Sequence, residues 1–379
     1  MKILHLADTH LGYSAYRKVT EESINQREMD NYFAFKQFID YAIKSKPDLV
    51  LHAGDLFDSV RPNNRAITFA IRQILNLSKQ GIPVVIVDGN HEHPKLKETG
   101  HIFSIFDHID NVYPIYDAKY ETLSFAMNKE SINIHALPQT SSKEEYKDNL
   151  AEIYPDSSSD YNIFITHGSV KGIKDFTMNE FNELMIPADY LNSDFDYIAL
   201  GHYHKYTQLS KNAYYAGSTE GLTFADAGNQ KGFIELELID KKLKHNFVHL
   251  KNRLMVDSNP IRCKNLTLDE IMIKIKGLIT KIKPKGKIFR IKLEEIPSHI
   301  YRGIDFGEIK ELSNEAVHYE IKADFIKDGN SKSGENSKID ALALEFETFI
   351  KNQEIEEKET LLKLGIEYIE KIETRNRGK

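Results

Sequence analysis

Five short segments of the chain carry the residue types that bind metal ions, and each follows an apolar run. The segments are Asp8-Thr9-His10, Gly54-Asp55 followed by Asp58, Gly89-Asn90-His91, Thr166-His167 and Gly201-His202-Tyr203-His204. Carboxylate, imidazole and amide groups suit Mn²⁺, Fe²⁺ or Zn²⁺. The single cysteine, Cys263, excludes a cluster of thiolate ligands. The residue types therefore predict a site for divalent transition metals.

The spacing within these segments fits two neighbouring ions. In an extended or turning segment, residues i and i+2 point the same way, so Asp8 and His10 can hold one ion together. His202 and His204 have the same spacing, and each can face a different ion. The Asp55 carboxylate can bridge two ions about 3.5–4 Å apart, a separation that supports in-line displacement at phosphorus. One such segment is weak evidence, but five in order predict a single site.

The elements that position these residues alternate between strand and helix in the first half of the chain. Apolar runs predict strands at residues 3–7, 49–52 and 84–87, and helical spacing predicts helices at 28–44 and 66–78. Further strands are predicted at 132–137, 162–166, 197–200, 213–216 and 232–238. The predicted fold is α/β, with two packed sheets flanked by helices. Because sites gather at the carboxyl ends of parallel strands, we expect the five segments to lie together along the edge that these strand ends form, which we call the rim.

The order of the motifs, D-x-H, GDxxD, GNH[DE], H and GHxH, resembles that of the calcineurin-like metallophosphoesterases. Three runs resemble more specifically the Mre-eleven/SbcD nucleases of DNA double-strand-break repair. These runs are HLADTHLGY at residues 5–13, GDLFDSVRP at 54–62 and ALGHYHK at 199–205. The motifs are specific and cover about residues 1–225, and beyond them the resemblance is one of layout.

The resemblance implies a metal-dependent DNA nuclease, with exonuclease activity on duplex ends and endonuclease activity on single strands and hairpins, by two-metal in-line hydrolysis of phosphodiesters. It implies two Mn²⁺ ions per subunit, with other divalent transition metals possible. The implied ligands are Asp8, His10, Asp55 and His204 for the first ion, and Asp55, Asn90, His167 and His202 for the second. His91 would contact the phosphate and protonate the leaving oxygen, a role that suits imidazole near neutral pH.

Some positions depart from the family pattern or leave two interpretations open. Asp58 stands where many relatives carry a histidine that helps to handle the phosphate, and it could instead orient a metal ligand. Tyr13, Arg17, Lys18 and Arg61 flank the rim segments, and we interpret them as DNA contacts. Exposed basic side chains are usually only solvated, so that interpretation stays open as well.

Charge and composition divide the rest of the chain. The net charge is −7, yet residues 251–292 contain twelve basic and three acidic residues, a clustering typical of phosphate-binding surfaces. We expect a nuclease domain at 1–250, a small α/β capping and DNA-binding domain at 251–327, a polar linker at 328–338 and a helical tail at 339–379. The tail either packs on its own chain or docks a partner, and the linker before it favours a partner.

The resemblance also implies partners and a compartment. The partner would be a coiled-coil ABC-type ATPase of the Rad-fifty/SbcC type, and the helices at 28–44 and 66–78 would form a homodimer contact. No apolar run approaches the ~20 residues that span a membrane, and no signal peptide is expected. The single cysteine indicates an intracellular protein. The resemblance implies that it is cytoplasmic, nucleoid-associated and not secreted.

Two other classes of function share part of this pattern. A small-substrate phosphatase or phosphodiesterase of the same superfamily would have every metal ligand, but not the run at 5–13, the basic stretch or the tail. A protein phosphatase would usually carry GDxVDRG, whereas residues 54–59 read GDLFDS. A non-catalytic scaffold for the ATPase would leave a complete ligand set idle.

Overall fold

The architecture comes from a computed structural model. The structure describes residues 1–127, 129–170, 184–192 and 194–326, together with residues 346, 350, 358–359 and 361–366. The predicted linker at 328–338 lies outside the described residues, and so does most of the predicted tail at 339–379. Residues 361–366 of the tail are helical.

Four parallel strands begin the first sheet, and the alternation of strand and helix predicts the first three of them. The six strands of this sheet are β1 (Lys2–Leu6), β2 (Leu49–Ala53), β3 (Val84–Val87), β4 (Val112–Ile115), β13 (Gly232–Ile239) and β14 (Lys242–His249). Their order is β14-β13-β1-β2-β3-β4, with β13 antiparallel to both of its neighbours. The carboxyl ends of β1, β2 and β3 therefore lie side by side.

The second sheet also has four parallel strands, with one antiparallel strand at each edge. Its strands are β5 (Glu121–Met127), β6 (Glu130–Leu137), β7 (Tyr161–His167), β10 (Tyr197–Gly201), β11 (Thr207–Gln208) and β12 (Ala213–Tyr215). The order is β11-β12-β10-β7-β6-β5, with β6, β7, β10 and β12 parallel. Two short strands, β8 (Ser169–Val170) and β9 (Met185–Ile186), pair separately. The carboxyl ends of β7 and β10 are adjacent.

Helices cover the outer face of each sheet. The two long helices are α1 (Gln26–Ser45) and α2 (Asn64–Lys79), and α3 (Lys143–Ala151) is shorter. The side chain of Asn25 accepts hydrogen bonds from the first backbone N–H groups of α1, and Asn63 does the same for α2. None of the described helices is long and apolar enough to cross a membrane.

The two sheets pack face to face over one apolar layer. Ile3, Leu49 and Val85 contribute to this layer from the first sheet, and Ile163 and Tyr197 contribute from the second. A second layer lies between the first sheet and the helices α1 and α2, and a third covers the other face of the second sheet beside α3. The structure confirms the predicted fold class, an α/β sandwich of two sheets flanked by helices.

The remaining described strands and named α-helices follow residue 254. They are β15 (Met255–Asp257), β16 (Ile261–Arg262), α4 (Leu268–Ile282), β17 (Ile288–Ile296), α5 (Ser298–Arg302), α6 (Phe306–Leu312) and β18 (His318–Phe325). The chain divides into two compact units, the larger comprising residues 1–261, 269–292 and 304–322, and the smaller comprising 262–268, 293–303 and 323–379. The domain boundaries expected from the sequence stay predictions.

The two sheets approach each other closely at Gly201, beside the rim. A Cβ atom at Gly201 would collide with the carbonyl oxygen of Ala53 at the end of β2 and press on the side chain of Ala7. The segment that follows β10 can therefore reach the ends of β1 and β2 only because this residue has no side chain. In contrast, Gly277 in α4 has open space around its Cβ position.

We expect Gly201→Ala to lower stability by about 1–3 kcal/mol, because the sheets must separate to accept the methyl group. Gly277→Ala is the matched control and should raise stability by about 0.5–1 kcal/mol, since alanine favours a helix. Urea unfolding followed by circular dichroism measures both. An unchanged midpoint in the Gly201 variant would contradict the close approach of the sheets.

Candidate metal centre

The structure brings together all seven side chains that the sequence predicts as ligands. Asp8 and His10 follow β1, Asp55 follows β2 and Asn90 follows β3, whereas His167 ends β7 and both His202 and His204 follow β10. Most of these side chains are buried, and Asp8, Asp55 and His167 are each only 1% exposed. Five strand ends thus deliver carboxylate, amide and imidazole groups to one rim.

Four of these residues have a backbone conformation that residues other than glycine rarely adopt. The φ angles are 52° at Asp8, 45° at His10, 54° at Asp55 and 102° at His202. Such conformations cost on the order of 1–3 kcal/mol each and persist only where the surroundings enforce them. The enforcing contacts are hydrogen bonds between the rim segments, for example from the N–H of His10 to the carbonyl of Asp55 at 3.0 Å.

One group of donors, meaning the nitrogen and oxygen atoms that could bind a metal ion, surrounds His10. The Nε2 atoms of His10 and His204 face each other at 3.3 Å, and donor atoms of Asp8, His10 and His204 all lie within 4.8 Å of one another. The Nδ1 of His10 contacts Oδ1 of Asp58 at 3.2 Å. Because a carboxylate only accepts, this contact places the proton on Nδ1 and directs the Nε2 lone pair into the group. Asp58 therefore lies where it can orient this ligand.

A second group surrounds His167. Its Nε2 lies 3.0 Å from Oδ1 of Asn90, and that same oxygen lies 3.1 Å from Nδ1 of His202. The Nδ1 of His167 donates to the carbonyl oxygen of Ala53 at 2.9 Å, which leaves Nε2 as the coordinating atom. Gly54 permits this approach, since a Cβ there would collide with the His167 ring and its φ of 87° is left-handed.

The carboxylate of Asp55 lies between the two groups. Its Oδ2 is 3.7 Å from Nε2 of His10 and 3.3 Å from Nε2 of His167. Its Oδ1 accepts a hydrogen bond from the backbone N–H of His91 at 3.0 Å. One oxygen therefore faces an imidazole of each group, which is the arrangement that a bridging ligand requires.

The chemistry of these donors fits cations. In the neutral ring the Nε2 of His167 is an acceptor, yet it faces acceptor oxygens of Asn90 and Asp55, so a proton or a metal ion must lie among them. Burial lowers the pKa of His167, but Asp55 and Asp8 outweigh burial and raise it to about 10. Oδ2 of Asp8 is buried and has no hydrogen-bond partner among the described residues. These residues fit divalent metal ions that would replace protons.

His91 lies at the edge of this cluster and is one-third exposed. Its Nδ1 lies 3.1 Å from the carbonyl oxygen of Asp58, and its ring meets that of His10 edge-on at a centroid distance of 4.7 Å. A carbonyl only accepts, so Nδ1 carries a proton and Nε2 is the atom that can gain or release one. The position suits proton transfer beside the metal ligands.

Asp226 and Lys231 support His204, and no motif in the sequence pointed to them. Oδ2 of Asp226 lies 3.7 Å from Nδ1 of His204, and Lys231 Nζ donates to Oδ1 of Asp226 at 2.6 Å and to the carbonyl of His204 at 2.8 Å. Burial alone would lower the pKa of His204, but Asp226 and Asp8 hold it above its ordinary value. The only signal in the sequence was the residue types themselves, an acid and a base that follow well after the GHxH motif.

A third cluster of possible ligands, Asp88, His93 and His101, is better explained by hydrogen bonds. Oδ2 of Asp88 contacts Nδ1 of His93 at 2.8 Å and Nε2 of His101 at 3.0 Å. Nδ1 of His101 accepts from the backbone N–H of Phe103 at 3.1 Å, so Nε2 carries the proton and cannot coordinate. The cluster anchors the segment that carries Asn90.

The predicted DNA contacts differ in how far they are buried. Tyr13 is half-buried, and its hydroxyl donates to the carbonyl of Leu222 at 2.7 Å. Arg17, Lys18 and Arg61 are not buried. Their role in DNA binding stays a prediction.

The basic stretch at 251–292 is less positive than its composition indicates. Six of its twelve basic side chains are in ion pairs with acidic residues, namely Arg253 with Asp30, Lys264 with Glu295, Lys276 with Glu308, Lys285 with Glu315, and Arg290 and Lys292 with Asp257. The count of charges along the sequence overstated the cationic surface, because most of the paired acids lie elsewhere in the chain.

We expect Asp226→Asn to weaken binding of Mn²⁺ by about 10–100-fold, the usual effect of removing a carboxylate that orients a histidine ligand. The matched control is Asp240→Asn, at an exposed turn where asparagine tolerates the φ of 49°. Isothermal titration calorimetry measures both variants. Equal affinities for Mn²⁺ would show that Asp226 does not support the site.

Comparisons with known proteins agree with this geometry. Residues 1–206 match the family model of calcineurin-like phosphoesterases. The chain is 31% identical over 283 residues to the DNA double-strand break repair protein Mre11 of Methanococcus maripaludis, covering 65% of this chain and 70% of that protein. It is 30% identical over 342 residues to Mre11 of Sulfurisphaera tokodaii, covering 87% and 82%.

A bacterial protein extends the comparison. The chain is 28% identical over 326 residues to the SbcD component of the nuclease SbcCD of Staphylococcus epidermidis, covering 79% of this chain and 80% of that protein. The residues that match the family model include every segment of the rim. The chain belongs to the Mre11/SbcD family of calcineurin-like phosphoesterases.

Proposed function

We propose that this protein is a divalent-metal-dependent DNA nuclease of double-strand-break repair, an exonuclease on duplex ends and an endonuclease on single strands and hairpins. The observation that carries the proposal is the position of Asp55, whose Oδ2 faces His10 at 3.7 Å and His167 at 3.3 Å. A carboxylate between two groups of imidazoles suits two-metal hydrolysis of phosphodiesters. The names of the relatives supply the substrate, DNA.

The proposed ligands follow from the two groups of donors. Asp8, His10, Asp55 and His204 would hold one ion, and Asp55, Asn90, His167 and His202 would hold the other. Two bound divalent ions, Mn²⁺ in our proposal, supply Lewis acidity and positive charge at the phosphodiester. The chain itself fixes the tautomers of His10 and His167, through Asp58 and the carbonyl of Ala53, so that both Nε2 atoms point inward.

His91 is the proposed general acid. The carbonyl of Asp58 holds the proton on Nδ1. Nε2 lies on the other side of the ring and therefore points away from Asp58. When protonated, Nε2 can donate its proton to the oxygen that leaves phosphorus. The backbone N–H of His91 donates to Oδ1 of Asp55 and holds His91 beside the carboxylate that we propose as the bridging ligand.

The proposed assembly includes a second copy of the chain and an ATPase. We propose that α1 and α2, which pack against each other, contribute to a homodimer contact, and that residues 339–379 bind a coiled-coil ABC-type ATPase of the kind that the names Mre11 and SbcD imply. Residues 1–250 would form the nuclease domain and 251–327 the capping domain. Loss of ATPase binding after removal of residues 339–379 would test the tail.

The proposal predicts that the purified chain cuts linear and hairpin DNA when Mn²⁺ is present and not when it is chelated. Asp8→Ala should abolish cleavage, because it removes a carboxylate from the rim. Gel analysis of labelled DNA measures the products, and turnover of bis-p-nitrophenyl phosphate is followed in parallel. Hydrolysis of the small ester without DNA cleavage would overturn the proposal in favour of a small-substrate phosphodiesterase.

His91→Leu should reduce DNA cleavage by about 10²–10⁴-fold, the usual contribution of a general acid, and leave Mn²⁺ affinity unchanged. His108→Leu is the matched control, because His108 is exposed and lies away from the rim segments. Cleavage rates and calorimetric Mn²⁺ affinity separate the two roles. Loss of both properties in His91→Leu would contradict the assignment as an acid.

The affinity for Mn²⁺ should rise with pH. Burial lowers the pKa of His167, but the nearby carboxylates outweigh burial and raise the pKa to about 10. The metal-free ring is therefore protonated at neutral pH. A metal ion must displace that proton. Because binding releases one proton, the apparent affinity should rise about tenfold for each unit by which the pH increases, up to the raised pKa. Calorimetry between pH 6 and 8 measures the slope. A flat profile would contradict a role for His167 as a ligand.

A further inference from the structure

An open groove lies beside the metal centre, and the sequence motifs do not account for it. Its volume is about 790 Å³, within the range of roughly 300–1,000 Å³ that is usual for small-molecule sites. We infer that this groove binds one unstacked nucleobase of the DNA substrate, next to the phosphate that is cut. The inference rests on the proposed nuclease function.

Each wall of the groove contacts a segment of the rim. Tyr13 lines it on one side, and the N–H of Tyr13 donates to the carbonyl of His10 at 3.0 Å. The opposite wall runs from Leu222 to residue 227, and Asp226 in this segment contacts His204. A nucleoside in the groove would therefore be adjacent to side chains that face the first group of donors.

Flat aromatic faces line the groove. Tyr16 stacks on His318 with ring centroids 3.8 Å apart and planes 10° apart, and Tyr16 has a φ of 63°, which a bulky residue rarely adopts. The guanidinium of Arg290 lies over the ring of Phe224 at 4.5 Å. Stacked aromatic rings and guanidinium planes are the surfaces on which proteins hold unpaired bases.

The charges in the groove suit a base and not a phosphate. Asp257 accepts from Nε and Nη2 of Arg290 at 3.0 and 2.7 Å, and Glu320 lies 3.4 Å from the same guanidinium. Two carboxylates thus face the single cation among the residues that line the groove, so the lining has a net negative charge. Lys292 also contacts Asp257, at 3.2 Å, so the groove has no surplus of positive charge to attract a phosphate, whereas a carboxylate accepts hydrogen bonds from the amino groups of bases.

This lining has a consequence for substrate choice. A base can enter the groove only after it leaves the duplex stack, so the groove favours single strands and frayed ends. Cytosine, adenine and guanine carry exocyclic amino groups that can donate to Glu320, and thymine carries none. We expect cleavage to depend on the base at one fixed position relative to the phosphate that is cut.

The test uses end-labelled single strands of deoxycytidine, cut by the full chain with Mn²⁺ under single-turnover conditions. One position is replaced by an abasic residue or by thymidine. Wild-type protein should cut about tenfold more slowly at the phosphate that lies at one fixed offset from the abasic residue, the scale of one lost stacking contact. Thymidine should cause a smaller decrease at the same offset.

The variants Tyr16→Ala and Phe224→Ala should lose this dependence, with every phosphate cut at a similar rate. Glu320→Gln should lose only the difference between cytosine and thymine. Tyr154→Ala is the matched control, because Tyr154 is 70% exposed outside the groove, and it should retain the wild-type pattern.

Two outcomes would overturn the groove and leave the nuclease function standing. The first is even cleavage by the wild type on either side of the abasic residue. The second is an unchanged dependence in both Tyr16→Ala and Phe224→Ala. Absence of any DNA cleavage by the wild type would instead overturn the proposed function on which the inference rests.

Discussion

The structure of the rim depends on the burial of one carboxylate. Asp55 is almost completely inaccessible to water, and a charge in such a place is tolerated only when cations and hydrogen-bond donors surround it. Burial alone would raise the pKa of Asp55, but His167, His10 and His91 hold it well below its ordinary range. Each of those histidines comes from a different segment. Their common partner explains why separate strand ends converge on one point.

The convergence requires an unusual backbone, and the rest of the fold stabilises it. Left-handed conformations at Asp8, His10, Asp55 and His202 recur at the turns between strand and loop. The two sheets come close enough at Gly201 for the backbone N–H of His202 to donate to Oδ1 of Asp8 at 2.9 Å. Helix α1 adds support, because the side chain of Asn31 donates to the carbonyl of His10 at 3.0 Å. The site is thus built into the sandwich and does not depend on a single loop.

Much of this could be predicted from the sequence. Buried parallel strands are short apolar runs, so β2 and β3 appear almost residue for residue where the pattern predicts them. The edge strand β14 was missed, because exposed strands such as KLKHNFVH carry charged residues and resemble loops. The seven rim residues were found by motif order, whereas the support from Lys231 and Asp226 was not, since a buried ion pair has no periodic signature. The ion pairs of the basic stretch were missed because they join residues that are far apart in the sequence.

We propose that Asp55 would bridge two metal ions held by separate groups of side chains. Anomalous diffraction at the manganese edge, from crystals grown with Mn²⁺, tests it most directly. We predict two peaks on opposite sides of Oδ2 of Asp55, about 3.5–4 Å apart, one beside His10 and one beside His167. A single peak, or two peaks that do not share Asp55, would contradict the account.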